Sequence, residues 1–282
     1  MRAAFALLVL VVGVAAAACG GGSTSGSATP TASGTIPSGS AQSLVAAAGA
    51  KTTDAGSARM SFKASFTGST SGSLSGEGVF AKRRGHLTLD MSDFSAGAVV
   101  PDGKAEFIFD QLVYYMKLPG SNALPLPPGK EWFKIDLQQV SQKQGLDLGQ
   151  LTQLSQSDPS QALDFLRGAS DDFEKVGTED VRGVSTTHYR GTIDLTKVAD
   201  GASPDMAEEY RKLAQLAPST KVPMDVWLGD DGLVRRIRFE QALGDNSTMT
   251  MDEELYDFGT EVDVTPPPDD QVVDLTALLG LT

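Results

Sequence analysis

The sequence predicts an α+β protein: an antiparallel sheet with a few short helices set between its strands. Three observations lead there. Apolar residues recur with period two through most of the chain beyond residue 57. Tight turn signals join consecutive strand-like segments, and strands joined so closely must run antiparallel. Helical periodicity is confined to a few stretches lying between the strands.

The strands follow in order. In "ARMSFKASF", Met60, Phe62, Ala64 and Phe66 alternate with Ser61, Lys63 and Ser65, so one face is apolar and the other wet. Leu87, Leu89 and Met91 repeat the alternation in "GHLTLDMS". The run 106–118, "EFIFDQLVYYMKL", reads as two strands around a tight turn at Asp110 and Gln111, and "EWFKIDL" contributes Phe133, Ile135 and Leu137. The clearest hairpin is "VPMDVWLGDDGLVRRIRFEQAL": Val222, Met224, Val226 and Leu228, a two-residue turn within Gly229–Gly232, then Leu233, Ile237 and Phe239. "STMTMDEELYDFG" adds a further strand.

The helices are fewer. Alanines favour one over 43–50, "SLVAAAGA". "DPSQALDFLRG" places Asp158 as N-cap, Pro159 in the first turn, Gln161 for a capping box and Gly168 as a stop. "SPDMAEEYRKLAQLAP" repeats this logic, with Met206, Tyr210, Leu213 and Ala214 along one stripe.

The amino-terminal region has a different character. Arg2 precedes the apolar run Ala3 to Ala15, which is a secretory signal in outline and too short for a mature membrane span. "AAAC" resembles the lipobox of bacterial lipoproteins, and that resemblance makes Cys19 the acylated first residue after cleavage of a signal at 1–18. The alternative is an ordinary cleaved signal followed by an unmodified cysteine. Residues 19–40, rich in Gly and Ser and without charge, form a flexible tether. Its reach is roughly 25 Å for a chain of about 20 residues. Residues 41–282 are then expected to form a single domain. Cys19 is the sole cysteine, so no disulfide within the chain is possible.

Charge excludes some partners. The net charge is −13, and without Arg2 there are 22 basic against 36 acidic side chains. Such a domain repels nucleic acid and anionic headgroups alike, so membrane contact is expected through Cys19 alone. Catalytic patterns are missing. His86 and His188 stand apart in strand-like alternation, expected as surface or partly buried residues. No lysine follows a serine by three residues, and "GAVVPDGKA" is one residue too long for a phosphate loop. The pairs Asp230/Asp231 and Asp269/Asp270 read as turn formers, not metal ligands. The expectation is a non-enzyme with no cofactor and no metal.

One resemblance carries further. "DPSQALDFLRGASDDFEKVGTEDVRGVSTTHYRGTIDL" (158–195) followed by "VPMDVWLGDDGLVRRIRFE" (222–240) is similar to actinobacterial lipoproteins of the LppX/LprAFG type, which share the LolA/LolB fold. In that group "VxGVxTxHYxGxxDL" is a strand, a turn and a strand. The resemblance implies a strongly curved antiparallel sheet, an incomplete barrel, with helices packed on its concave face around an apolar cavity. Phe62, Ala64, Phe66, Leu87 and Leu89 become candidates for lining that cavity from the first strands. Tyr114, Met116, Phe133 and Ile135 would line it from later strands, and Phe165, Tyr210 and Leu213 from the helices. A monomeric lipoprotein on the outer face of the cytoplasmic membrane, binding a lipid or other apolar ligand, is one function this implies. The other is an interaction or scaffold lipoprotein whose sheet and helices pack fully.

Overall fold

A computed structural model describes residues 39–275, apart from 69–70, 82–83, 94–102, 119–125, 144–171, 202–206, 209–210, 212–213, 216–218 and 245. Its strands are β1 (Ser57–Thr67), β2 (Gly72–Ala81), β3 (Arg84–Asp90), β4 (Lys104–Asp110), β5 (Val113–Lys117) and β6 (Trp132–Asp136), then β7 (Glu174–Val181), β8 (Val184–Asp194), β9 (Lys221–Gly229), β10 (Val234–Gly244), β11 (Ser247–Tyr256) and β12 (Val272–Asp274). They form one sheet in the order β12-β6-β5-β4-β3-β2-β1-β11-β10-β9-β8-β7. Two meanders, β1–β6 and β7–β11, are therefore joined along β1 and β11, whose antiparallel register runs from Arg59 opposite Tyr256 to Thr67 opposite Thr248. The short β12 returns to the far edge and pairs parallel with β6, covering backbone groups that would otherwise be unpaired. The sheet is open and dominated by antiparallel pairs, as the sequence predicts.

Alternation decides the two faces. Along β1, Ala58, Met60, Phe62, Ala64 and Phe66 are buried while Arg59, Lys63 and Thr67 are exposed. The helices α1 (Ala41–Asp54), α2 (Leu137–Lys143) and α3 (Leu195–Gly201) add Val45, Ala48, Leu137 and Val198 to the same apolar cluster as these β1 side chains. The helices therefore cover one face of the sheet, hereafter the core face. Ser40 caps α1, its hydroxyl accepting the Ser43 amide at 3.3 Å. On the opposite face, Ile108, Trp132 and Val264 form a smaller cluster, where the segment after β11 crosses β4 and β6. Arg84 fixes that crossing through a 3.0 Å bond to the Val264 carbonyl.

Some elements depart from the sequence reading. The β4–β5 turn falls at Gln111 and Leu112, one residue later than expected, because Asp110 still pairs with Val113 and with Arg84. An Arg84–Asp110 contact of 3.1 Å holds it in the strand. The β9–β10 loop is also not a two-residue primed turn. Gly232 donates to the Gly229 carbonyl at 2.8 Å and has φ +71°, and the Gly229 amide bonds the Leu233 carbonyl at 2.9 Å. Asp230 and Asp231 occupy an ordinary turn and Gly232 supplies the left-handed residue that closes it. Asp231 Oδ1 accepts the Leu233 amide at 3.1 Å, so its carboxylate serves the turn as expected.

Strand β2 escaped the sequence reading altogether. Its core-facing positions include Gly76 and Gly78, where alternation would require large apolar side chains. Neighbours occupy that space instead. A Cβ at Gly76 would stand 2.5 Å from Leu89 and 2.7 Å from the Phe62 ring. The helix expected at 158–168 lies outside the described residues. Within 204–216, residues 207, 208, 211, 214 and 215 are helical, with Ala207 and Ala214 buried and Glu208, Arg211 and Gln215 exposed.

Candidate functional site

The core face brings most of the candidate residues together. Phe62, Ala64 and Phe66 from β1, Leu87 and Leu89 from β3, Tyr114 and Met116 from β5, and Phe133 and Ile135 from β6 are all buried in one apolar cluster. Phe165, Tyr210 and Leu213 lie outside the described residues. Ala64 is fully enclosed, with Met251 and Leu74 as its cross-strand partners. Phe109 and Tyr114 stack with centroids 6.0 Å apart, extending the aromatic surface across β4 and β5.

One cross-strand row runs through the middle of this face: Tyr189, Val226, Ile237, Glu253, Phe62, Gly76, Leu89 and Ala105. Glu253 is its only charged member. It sits on β11 in the same alternation as Met249, Met251 and Leu255, all of which are buried. Among the described residues no hydrogen bond or ion pair reaches its carboxylate. Burial alone pushes that carboxyl up to about 7. Glu253 and its neighbour Ile237 are nevertheless less enclosed than Val226, Phe239, Met251 and Phe62, which are buried. The strand "STMTMDEELYDFG" carried the signal for this in its alternation of Met249, Met251, Glu253 and Leu255.

The opposite face is polar where β7 to β11 present it. His188, expected as a surface or partly buried residue, is buried there, and both its ring nitrogens meet carboxylates: Nδ1 lies 3.0 Å from Glu179 and Nε2 2.7 Å from Asp225. Arg190 Nε donates to the same Asp225 oxygen at 2.8 Å. Arg236 lies 4.7 Å from the Trp227 ring and pairs in bidentate fashion with Asp252. Arg182 bonds Glu254 and Ser61, each at 2.7 Å, and so ties the β7–β8 turn to the seam. The other histidine, His86, is half exposed and meets Glu106 at 2.8 Å. These groups lock one another. Among the described residues, no group of three or more His, Cys, Asp or Glu side chains could hold a metal ion, and no helix is long and apolar enough to cross a membrane.

Comparison with known proteins follows from this geometry. The chain is similar to the lipoprotein LppX of Mycobacterium tuberculosis, with a TM-score of 0.46 at 15% identity over 79% of this chain and 98% of that one. LprF of Mycobacterium bovis aligns with a TM-score of 0.40 at 15% identity, over 83% and 99% of the two chains. A LolA superfamily protein of Nitrosomonas europaea aligns at 9% identity with a TM-score of 0.26, over 82% and 96%. LppX and LprF are of the type named above on the 158–195 and 222–240 motifs. In sequence, 184 residues are 29% identical to the "Uncharacterized 31.2 kDa protein in rplA-rplJ intergenic region" of Streptomyces griseus, covering 63% of this chain. The match spans 59% of that protein's length. No family model matches the chain.

Proposed function

We propose that this protein is a cell-envelope lipoprotein, anchored through Cys19, that holds an acyl chain or other apolar ligand against the core face of its sheet. The observation that carries the reading is the broad apolar core face, on which Ile237, Met224 and Glu253 stay partly accessible beside the buried Val226, Phe62 and Met251. Apolar surface left in contact with water costs about 25 cal/mol per Å², and an apolar ligand that covers it relieves that cost. The tether and the acidic surface agree with it, since they leave Cys19 as the membrane contact.

Solvent extraction of the purified full-length protein followed by mass spectrometry tests ligand binding. A recurring stoichiometric lipid is the expected result, and Ile237→Trp, which covers the accessible part of the core face with its own ring, should abolish it while thermal unfolding changes little. Repeated absence of any lipid would favour the scaffold reading. Anchoring is tested separately: a fatty-acid analogue should label the wild-type protein and not Cys19→Ser, which should leave the membrane fraction.

A further inference from the structure

The lone carboxylate in the apolar row narrows the class of ligand. We infer that Glu253 is the polar end of the binding site and selects an amphiphile whose headgroup is a protonated amine over one whose headgroup is an anion. This rests on the reading of the core face as a ligand site and deepens it.

The argument begins with position. Glu253 stands mid-strand on β11, the strand that joins the two meanders, opposite Phe62 on one side and Ile237 on the other. Its own strand surrounds it with Met251 and Leu255. The cations nearest in sequence and register are committed elsewhere. Arg236 is paired with Asp252, Arg182 with Glu254, and Arg235 with Asp231 while lying 4.9 Å from the Phe258 ring. Lys51 of α1 reaches the Asp231 carbonyl. Lys63 is exposed on the other face of β1. The row through Glu253 offers no basic side chain, and its one other hydrogen-bonding side chain is Tyr189, three strands away.

A carboxylate placed in apolar surroundings with no partner destabilises the empty protein, since its charged form has lost water and gained nothing. A ligand restores the balance only by bringing the missing charge or donor. An ammonium group does both: its N–H bonds replace water and its charge compensates the carboxylate where solvent screening is weak. Its alkyl chain would meanwhile cover the accessible surface of Ile237 and the apolar side chains beside it. A fatty acid or a phosphate headgroup at the same place meets like charge, and the acidic protein as a whole adds to the repulsion. An alcohol of equal length has the chain and a hydroxyl but no charge, so the difference between amine and alcohol measures the contribution of charge.

The test compares dodecylamine, dodecanol and dodecanoic acid by titration calorimetry at about pH 8, where a carboxyl titrating at about 7 is mostly ionised. Full-length protein purified as Cys19→Ser avoids competition from attached lipid. The amine is expected to bind about tenfold or more tighter than the alcohol, and the acid weakest. Glu253→Gln should remove most of the amine's advantage over the alcohol, and its unfolding curve establishes that the variant is folded. Equal binding of all three probes, unaltered by Glu253→Gln, would overturn the inference and leave the carrier reading standing. Tighter binding of the acid would overturn it too. No binding of any probe would remove both.

Discussion

His188 lies flat against Trp227, with ring centroids 4.3 Å apart and planes 13° from parallel. The stack is held by the carboxylates at its edge, and Asp225 holds most of it, since one of its oxygens accepts from both His188 and Arg190. Trp227 Nε1 is buried without a partner among the described residues, so the ring is kept there by its faces, His188 on one contact and Arg236 on another.

Asp225→Ala should therefore destabilise the protein by about 1–3 kcal/mol, because it strands a buried histidine nitrogen and frees an arginine. Asp230→Ala, at an exposed turn position, is the control and should change stability by less than about 0.5 kcal/mol. Urea unfolding of the two variants checks this. Equal effects would mean that the polar face contributes nothing specific.

Glycine on the core face is a packing requirement. A Cβ at Gly85 would lie 2.4 Å from the Phe109 ring and 2.9 Å from the Val79 carbonyl, so Gly85→Ala should cost about 1–3 kcal/mol through overpacking. At Gly177 a Cβ meets nothing within 4 Å, and Gly177→Ala should be neutral or slightly stabilising. A thermal shift of the same size in both would show that the ring does not lie over Gly85.

Glu253 makes stability depend on pH with a definite sign. Its carboxyl titrates at about 7 in the fold against 4.5 when free. Between those values the folded protein keeps a proton that the unfolded chain has released, so stability falls as pH rises through this window and the penalty persists above it. The loss is on the order of a few kcal/mol. Glu253→Gln should be more stable than wild type at about pH 8 and nearly equal to it below about pH 4.5, measured by urea unfolding across that range. Identical pH profiles for the two proteins would show that the carboxyl is not enclosed.

Much of the sheet was legible because alternation is local. The pleat sends successive side chains to opposite faces, so Met60, Phe62, Ala64 and Phe66, or Val222, Met224, Val226 and Leu228, declare a strand without reference to anything distant. Turn placement was less legible. Asp110 was read as a turn residue, and only its pairing with Val113 and its contact with Arg84 keep it in β4.

The candidate site divides in the same way. The apolar residues of β1, β3, β5 and β6 that the family resemblance points to share a period, and the structure gathers them in one cluster because a shared face is what period two encodes. Glu253 was passed over. In isolation it is one acid among Asp252, Glu253 and Glu254, and it becomes distinct only when its neighbours point to solvent-facing partners and it does not.

By itself, then, the sequence determined the α+β class and the faces of its regular strands, since each follows from the chemistry of neighbouring residues. Tertiary structure alone decided that β11 pairs with β1, that β2 is a strand despite Gly76 and Gly78, and that a carboxylate lies at the centre of an apolar row. The physical reason is sequence distance. Pairing across the seam, space beneath a ring and loss of solvent around an acid all depend on residues contributed by remote parts of the chain, and no local pattern records which of them will meet.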